Sequence, residues 1–416
     1  MRRFFNSVSL IKNQSGFPAL LLANFVLGSA YSQVVPFMSM FGTLEVGMSP
    51  MVFGIFMVVT TLSGIVVNTV LAKWSDTHIT RRTMLLIGGS GGLLGYLGYA
   101  MVRDPIWLTV IGMTVLALSQ VCFSQVFAHA REELAADDQS AVHAPLLMSV
   151  LRMFFSLAWT VGPAIGAVIM IAFGYRGIFI AATVMFGLFL GLVFRFVPDR
   201  PHPPIGTKPA QLPLLKALTR PDILWHYVAF VLIFAAHSMS MMNLPLMVTQ
   251  LLGGNEGHVG IIFGIAPVVE IPLFIWFGQI AARGREVLMI RLGAVFVVLY
   301  YGALMFVQAP WHIYPLQILS AASIAVTTGV AITFFQDFLP GQTGTATSIY
   351  ANSFSGGSLV GYFSFGLLLP ALGHRGIYGI CFALVIVTLG ILFFAQRFRV
   401  ATAVIPTNEP SVQPAP

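Results

Sequence analysis

Charge is scarce in this chain. Of 416 residues, 21 are Lys or Arg and 14 are Asp or Glu, 8% in all, where an ordinary soluble domain carries about 25%. Too few charges are present to cover a water-exposed surface, and 57% of the residues are hydrophobic. A soluble globule and a disordered chain are both excluded. Cysteine is nearly absent. Cys122 and Cys381 lie in apolar runs, so no disulfide framework is implied. No Cys/His metal spacing, no glycine loop followed by Lys and no nucleophile constellation occurs, and the polar segments are too short for an ATPase domain. The sequence therefore implies no enzyme, no cofactor and no metal. The net charge of +7 does not point to nucleic acid, because the positives are spread among short loops.

Long apolar runs are what the chain has instead. A membrane helix needs about 20 apolar residues to cross a core of about 30 Å. Twelve segments qualify: 17–41, 50–72, 83–102, 106–128, 146–173, 177–197, 223–251, 258–282, 286–307, 313–335, 345–371 and 376–396. Pro50, Pro105, Pro310 and Gly253-Gly254 punctuate them. The reading is an all-α integral membrane protein. With the N-terminus in the cytoplasm, 17 of the 21 positives fall in inner segments and three, Arg103, Arg176 and Arg375, fall outside. That bias places both termini in the cytoplasm. A cleaved leader is not expected, since 17–41 is long enough to span.

The spans fall into two sets of six. Residues 198–222, PDRPHPPIGTKPAQLPLLKALTRPD, form the longest hydrophilic connection. The halves repeat each other: FGYRGIF at 173–179 matches LGHRGIY at 372–378, and Pro105–Trp107 matches Pro310–Trp311. Expected domains are an N-terminal six-helix bundle (1–197), a cytoplasmic linker (198–222), a C-terminal six-helix bundle (223–400) and a disordered tail (401–416). Duplicated six-helix halves around a midplane site are a transporter architecture.

The loop after span 2 reads Ala72-Lys73-Trp74-Ser75-Asp76-Thr77-His78-Ile79-Thr80-Arg81-Arg82. It resembles the signature loop of the major facilitator superfamily in its small residue, its Asp and its basic pair. It lacks the signature Gly and is one residue longer. Gly278–Arg285 is a degenerate second copy with Ala282 in the Asp position. Within that superfamily the chain is most similar to the bacterial sugar efflux transporters. The matching stretches include Ser75-Asp76, Phe127-Ala128 with Ala130-Arg131-Glu132, Arg152 with Ser156–Trp159 and Gly162-Pro163, Glu270-Ile271-Pro272, and Phe335-Gln336-Asp337. The resemblance implies an acidic residue in span 7, two before a Pro; here Asn243 stands there. It also implies that Asp76 faces the start of span 11, which would make it, with Arg81 and Arg82, a gate latch on the inner side; the plain alternative is a solvated loop charge beside that basic pair. Gly162-Pro163 with Gly166 resembles an antiporter signature, which favours export.

Ionisable side chains inside lipid cost roughly 2.5–3.5 kcal/mol on insertion scales, so each needs a reason. Glu270 is the one acid deep in a span, a candidate proton carrier or acceptor for sugar hydroxyls; the plain alternative is a neutral Glu bonded to backbone. Arg152 could fork onto hydroxyls, pair with a carboxylate, or bond to carbonyls near the inner end of span 5. His237 could bind substrate, sense pH, or fill a helix contact. Asn24, Gln120, Asn243 and Asn352 could line a polar cavity or tie helices together, and Trp159 offers a face to a pyranose ring. The expected function is proton-coupled export of sugars by alternating access, by a monomer in the bacterial inner membrane. A multidrug exporter of the same fold and a sugar uptake carrier are the alternatives.

Overall fold

A computed structural model of the chain describes residues 16–75, 78–135, 138–199, 214–339 and 342–402. The described residues form helices and no strands. Nine helices are long and apolar enough to cross a membrane, and a tenth crossing is a bent pair. Two of the nine, Leu147–Phe196 and Gly344–Ala395, run to 50 and 52 residues. Since one crossing takes about 20 residues, each supplies two. The described residues thus hold the twelve expected crossings. They are α1 (Phe17–Glu45), α2 (Pro50–Ser75), α3 (Arg81–Met101), α4 (Pro105–Met113 with Leu116–Leu134), and α5 and α6 (within Leu147–Phe196). The second half has α7 (Pro221–Leu251), α8 (Glu256–Ile280), α9 (Arg283–Leu304), α10 (Pro310–Asp337), and α11 and α12 (within Gly344–Ala395).

Each double helix breaks at a glycine. Gly174 has φ 64° and ψ −166°, and Gly373 has φ 64° and ψ 178°. A positive φ strains any residue with a side chain, so glycine is required at both breaks. The two glycines are equivalent positions of FGYRGIF and LGHRGIY. The sequence echo is therefore a repeated helical hairpin.

The repeat extends to helix crossings. On α5, a Cβ on Gly162 would collide with the Ser32 side chain of α1; on α11, a Cβ on Gly361 would stand 2.8 Å from the Ser238 Cβ of α7. Ser32 Oγ donates to the Ala158 carbonyl at 2.9 Å, and Ser238 shares a hydrogen bond with Ser358 at 3.1 Å. In both halves a small residue admits a serine and the serine ties the crossing, the close approach expected of membrane helices.

Helix starts follow the sequence signals. Asp104 caps α4, accepting from the Ile106 and Trp107 amides at 2.9 and 3.0 Å, with Pro105 at the first helical position. Ala309 has no side chain to do the same, and α10 opens as a 3-10 turn over Pro310–His312. Several irregularities were not expected, among them π-helical ends of α1 at Phe41–Glu45 and of α7 at Met247–Leu251. α4 bends by 42° near Thr114, whose hydroxyl donates to the Val110 carbonyl. α10 contains a π-helical stretch, Ala325–Val330.

Large apolar side chains face outward: Phe173 and Phe306 are 73% and 75% exposed, as suits contact with lipid. Linker residues 200–213 and tail residues 403–416 lie outside the described residues. The last helix runs on to Thr402, two residues into the segment expected to be disordered.

Candidate functional site

The helix directions define two faces. One carries the start of α1, the α2–α3 connection and the start of α11; most basic side chains lie there, and we call it the basic face. The halves touch near the opposite face. A Cβ on Gly54 of α2 would stand 2.7 Å from the Tyr362 carbonyl and 3.0 Å from the Gly366 Cα of α11. Phe53 and Phe365 meet edge to face, their centroids 6.5 Å apart. On the other flank, a Cβ on Gly260 of α8 would stand 2.5 Å from the Ala167 Cβ and 2.9 Å from the Pro163 carbonyl of α5. One turn further toward the basic face, a Cβ on Gly264 would stand 3.3 Å from the Thr160 carbonyl. Glycines thus build the seal from both sides.

Glu270 and Arg152 lie on the basic side of that seal. At about 1.5 Å per residue, Glu270 is about 9 Å beyond Gly264 along α8, and Arg152 about 12 Å beyond Thr160 along α5. Glu270 is half-buried and Arg152 exposed. Among the described residues the structure records no ion pair and no hydrogen bond for either. Arg152 instead comes close enough to Tyr350 of α11 to act on it electrostatically across the halves. The Tyr350 hydroxyl donates to the Thr327 carbonyl at 3.0 Å. Trp159, one helical turn from Ser156 and next to the Ala158 crossing, is half-buried, with no ring partner among the described residues.

The amides divide. Asn24 is fully buried and donates from Nδ2 to the Leu151 carbonyl at 2.7 Å, tying α1 to α5. Asn243 is also fully buried. Its Nδ2 donates to the His374 carbonyl at 2.9 Å, and His374 Nδ1 donates to its Oδ1 at 2.8 Å. Both tie helices together. Asn352 is exposed but donates to its own helix, at the Ser348 carbonyl. Gln120 is exposed and packs over Gly64 of α2, its Cγ 2.9 Å from where a Cβ would be. His237 lies on a small cavity inside the second half.

Of the expected gate, the structure describes Arg81 and Arg82. Asp76 lies outside the described residues. Arg81 Nε pairs with Glu132 at 3.0 Å, and Arg81 Nη1 donates to Gln125 Oε1 at 3.1 Å. Gln125 Nε2 in turn donates to Ser75 at 2.9 Å. Arg82 donates to the Phe194 carbonyl and lies over the Phe194 ring. These described partners all belong to the first half. They brace α2, α3, α4 and α6 against one another. In the second half, Gln336 donates to Thr347 at 3.3 Å.

Sequence reasoning missed Tyr350, Thr327 and Thr328. The polar Thr327-Thr328-Gly329 run inside an apolar span is the signal that could have marked them.

Two bundles repeated about a central space, sealed near one face by glycine contacts, are the frame of a membrane transporter. A family model described as Major Facilitator Superfamily matches residues 20–362, and the chain belongs to that superfamily. It is a transporter and not an enzyme. Among curated relatives, a Deinococcus radiodurans protein provisionally named a sugar efflux transporter is 32% identical over 91% of this chain and 97% of its own length. Sugar efflux transporter A of Dickeya chrysanthemi is 30% identical over 80% and 84%, and sugar efflux transporter A of Escherichia coli 28% over 90% and 94%. Among solved structures, a mutant of the nucleoside transporter NupG superposes with TM-score 0.79 at 10% identity, covering 91% of this chain and 99% of that one. That likeness concerns the fold alone.

Proposed function

We propose that this protein exports sugars across the bacterial inner membrane by alternating access, in antiport with protons, as a monomer. Its basic face is cytoplasmic, with both termini on that side. The described conformation is then open inward. A sugar enters between the halves from the cytoplasm, the halves rock about the glycine contacts, and the sugar leaves outside. A proton bound from outside resets the carrier.

The observation that carries the proposal is the unpaired state of Glu270 and Arg152 below the seal. Lipid-embedded charges are costly, and those without a partner belong to a pathway or a wet cavity. Two neutralising partners lie on adjacent helices of opposite halves and are not joined. Glu270 exchanges the proton. Arg152 binds sugar hydroxyls and turns to a carboxylate when the cavity is empty. Trp159 offers an apolar face to the ring. The names of the relatives support a sugar as cargo.

The test is sugar efflux from proteoliposomes with and without a pH gradient. Wild-type efflux should accelerate when the outer compartment is acidified. Efflux equally fast in both conditions would remove the antiport step, and no movement of any sugar would remove the cargo.

A further inference from the structure

The second half contains a partly enclosed cavity of ≈ 60 Å³, distinct from the space between the halves. It is lined from α7 by His237, from α9 by Tyr301 and from α10 by Ser323, Thr327 and Thr328. Phe234 and Phe354 close it edge to face, their centroids 5.0 Å apart, and Phe354 is 46% exposed at its mouth. Phe354 lies one turn along α11 from Tyr350, the residue on which Arg152 acts from the other half. The mouth therefore opens about one helical turn from Tyr350.

Three features describe what fits. First, no charged side chain lines the pocket, and its polar groups are hydroxyls and an imidazole. Second, His237 has no hydrogen-bond partner among the described residues, although its neighbours on the pocket wall are polar. Thr327 and Thr328 donate to the Ser323 and Ile324 carbonyls at 3.0 and 2.7 Å, so their oxygens remain free to accept. Third, both threonines lie in the π-helical stretch Ala325–Val330, and such bulges recur at functional sites. The volume suits a small polar group and excludes a whole sugar ring.

We propose that this pocket takes one hydroxyl-bearing substituent of the carried molecule. Thr328 and Thr327 accept from the substituent's hydroxyl, His237 completes its hydrogen bonding, and Phe354 borders the carbon that bears it. This rests on the reading of the cargo as a sugar and adds a specificity element to it. A site built to bond a hydroxyl rejects the analogue that lacks it, because its own polar groups are left unpaired.

The experiment is counterflow in proteoliposomes with a panel of sugars and their single-position deoxy analogues. Wild type should favour the parent over the deoxy analogue at one position by about tenfold or more. T328V and H237F should bring that ratio close to one, while transport of the deoxy analogue itself is retained. T328S, which keeps the hydroxyl, should preserve the ratio and serves where T328V folds poorly. An unchanged ratio in folded T328V and H237F overturns the pocket assignment, as does a wild type that ignores every deoxy substitution while still carrying the parent sugars. Absence of counterflow for every sugar tested overturns the cargo reading, and the pocket assignment with it.

Discussion

Gly54 and Gly366 pack backbone to backbone across the two halves: a Cβ on Gly366 would stand 3.1 Å from the Gly54 Cα and 2.7 Å from the Pro50 carbonyl. Only glycine allows this approach, and the approach seals the face opposite the basic one. A larger residue at either position acts as a wedge in one conformation and not in the other. Overpacking costs about 1–3 kcal/mol. G54L should therefore shift the balance toward the open outer side by about 5- to 150-fold. Distances between spin labels on the outer ends of α2 and α11 measure this. Unchanged distances would mean that the seal is not shared by the cycle.

Glu270 is expected to couple the proton. E270Q holds the side chain in its neutral shape. It should leave sugar counterflow near wild type, since exchange needs no net proton movement, and it should abolish acceleration by an acidic exterior. Parallel efflux and counterflow assays separate the two. Efflux of E270Q that still follows the pH gradient would show that the proton travels elsewhere.

Asn243 is expected to be a structural tie. Interhelical hydrogen bonds of this kind contribute on average about 0.6 kcal/mol each, and Asn243 shares two with His374. N243A should lower stability by about 1 kcal/mol and leave sugar specificity unchanged. Thermal unfolding in detergent and a sugar competition panel check the two halves of that statement. A changed specificity would return Asn243 to the binding site.

Arg81 braces the first half through Glu132 and Gln125. The bond is partly buried, with 13% of the Arg81 side chain exposed. R81A leaves Glu132 without this cation and Gln125 without this donor, and should destabilise the protein by about 1–3 kcal/mol. Thermal unfolding measures it. A loss of turnover at unchanged stability would instead favour a gating role.

The frame was legible because its causes are local. Apolar runs of bilayer length gave the crossings, Lys and Arg placement gave the two faces, and FGYRGIF and LGHRGIY announced a repeated hairpin. Glu270 and Arg152 stood out because a charge in lipid demands an explanation. Neutral groups carry no such mark. Nothing in the chain separates Asn24, tied to the Leu151 carbonyl 127 residues away, from Gln120, exposed on α4. Their roles depend on which helix lies opposite. The π-helical turn of α10, Ala325–Val330, was hidden as well, since no proline or glycine pair announces it.

The central claim is that this chain moves sugars, with protons moving the other way. It is tested most directly by purified protein in proteoliposomes loaded with labelled sugar, followed on imposing an acidic exterior. The account expects sugar to leave faster, the interior to acidify in step, and both signals to uncouple in E270Q. Sugar efflux that neither responds to nor produces a pH change would contradict it.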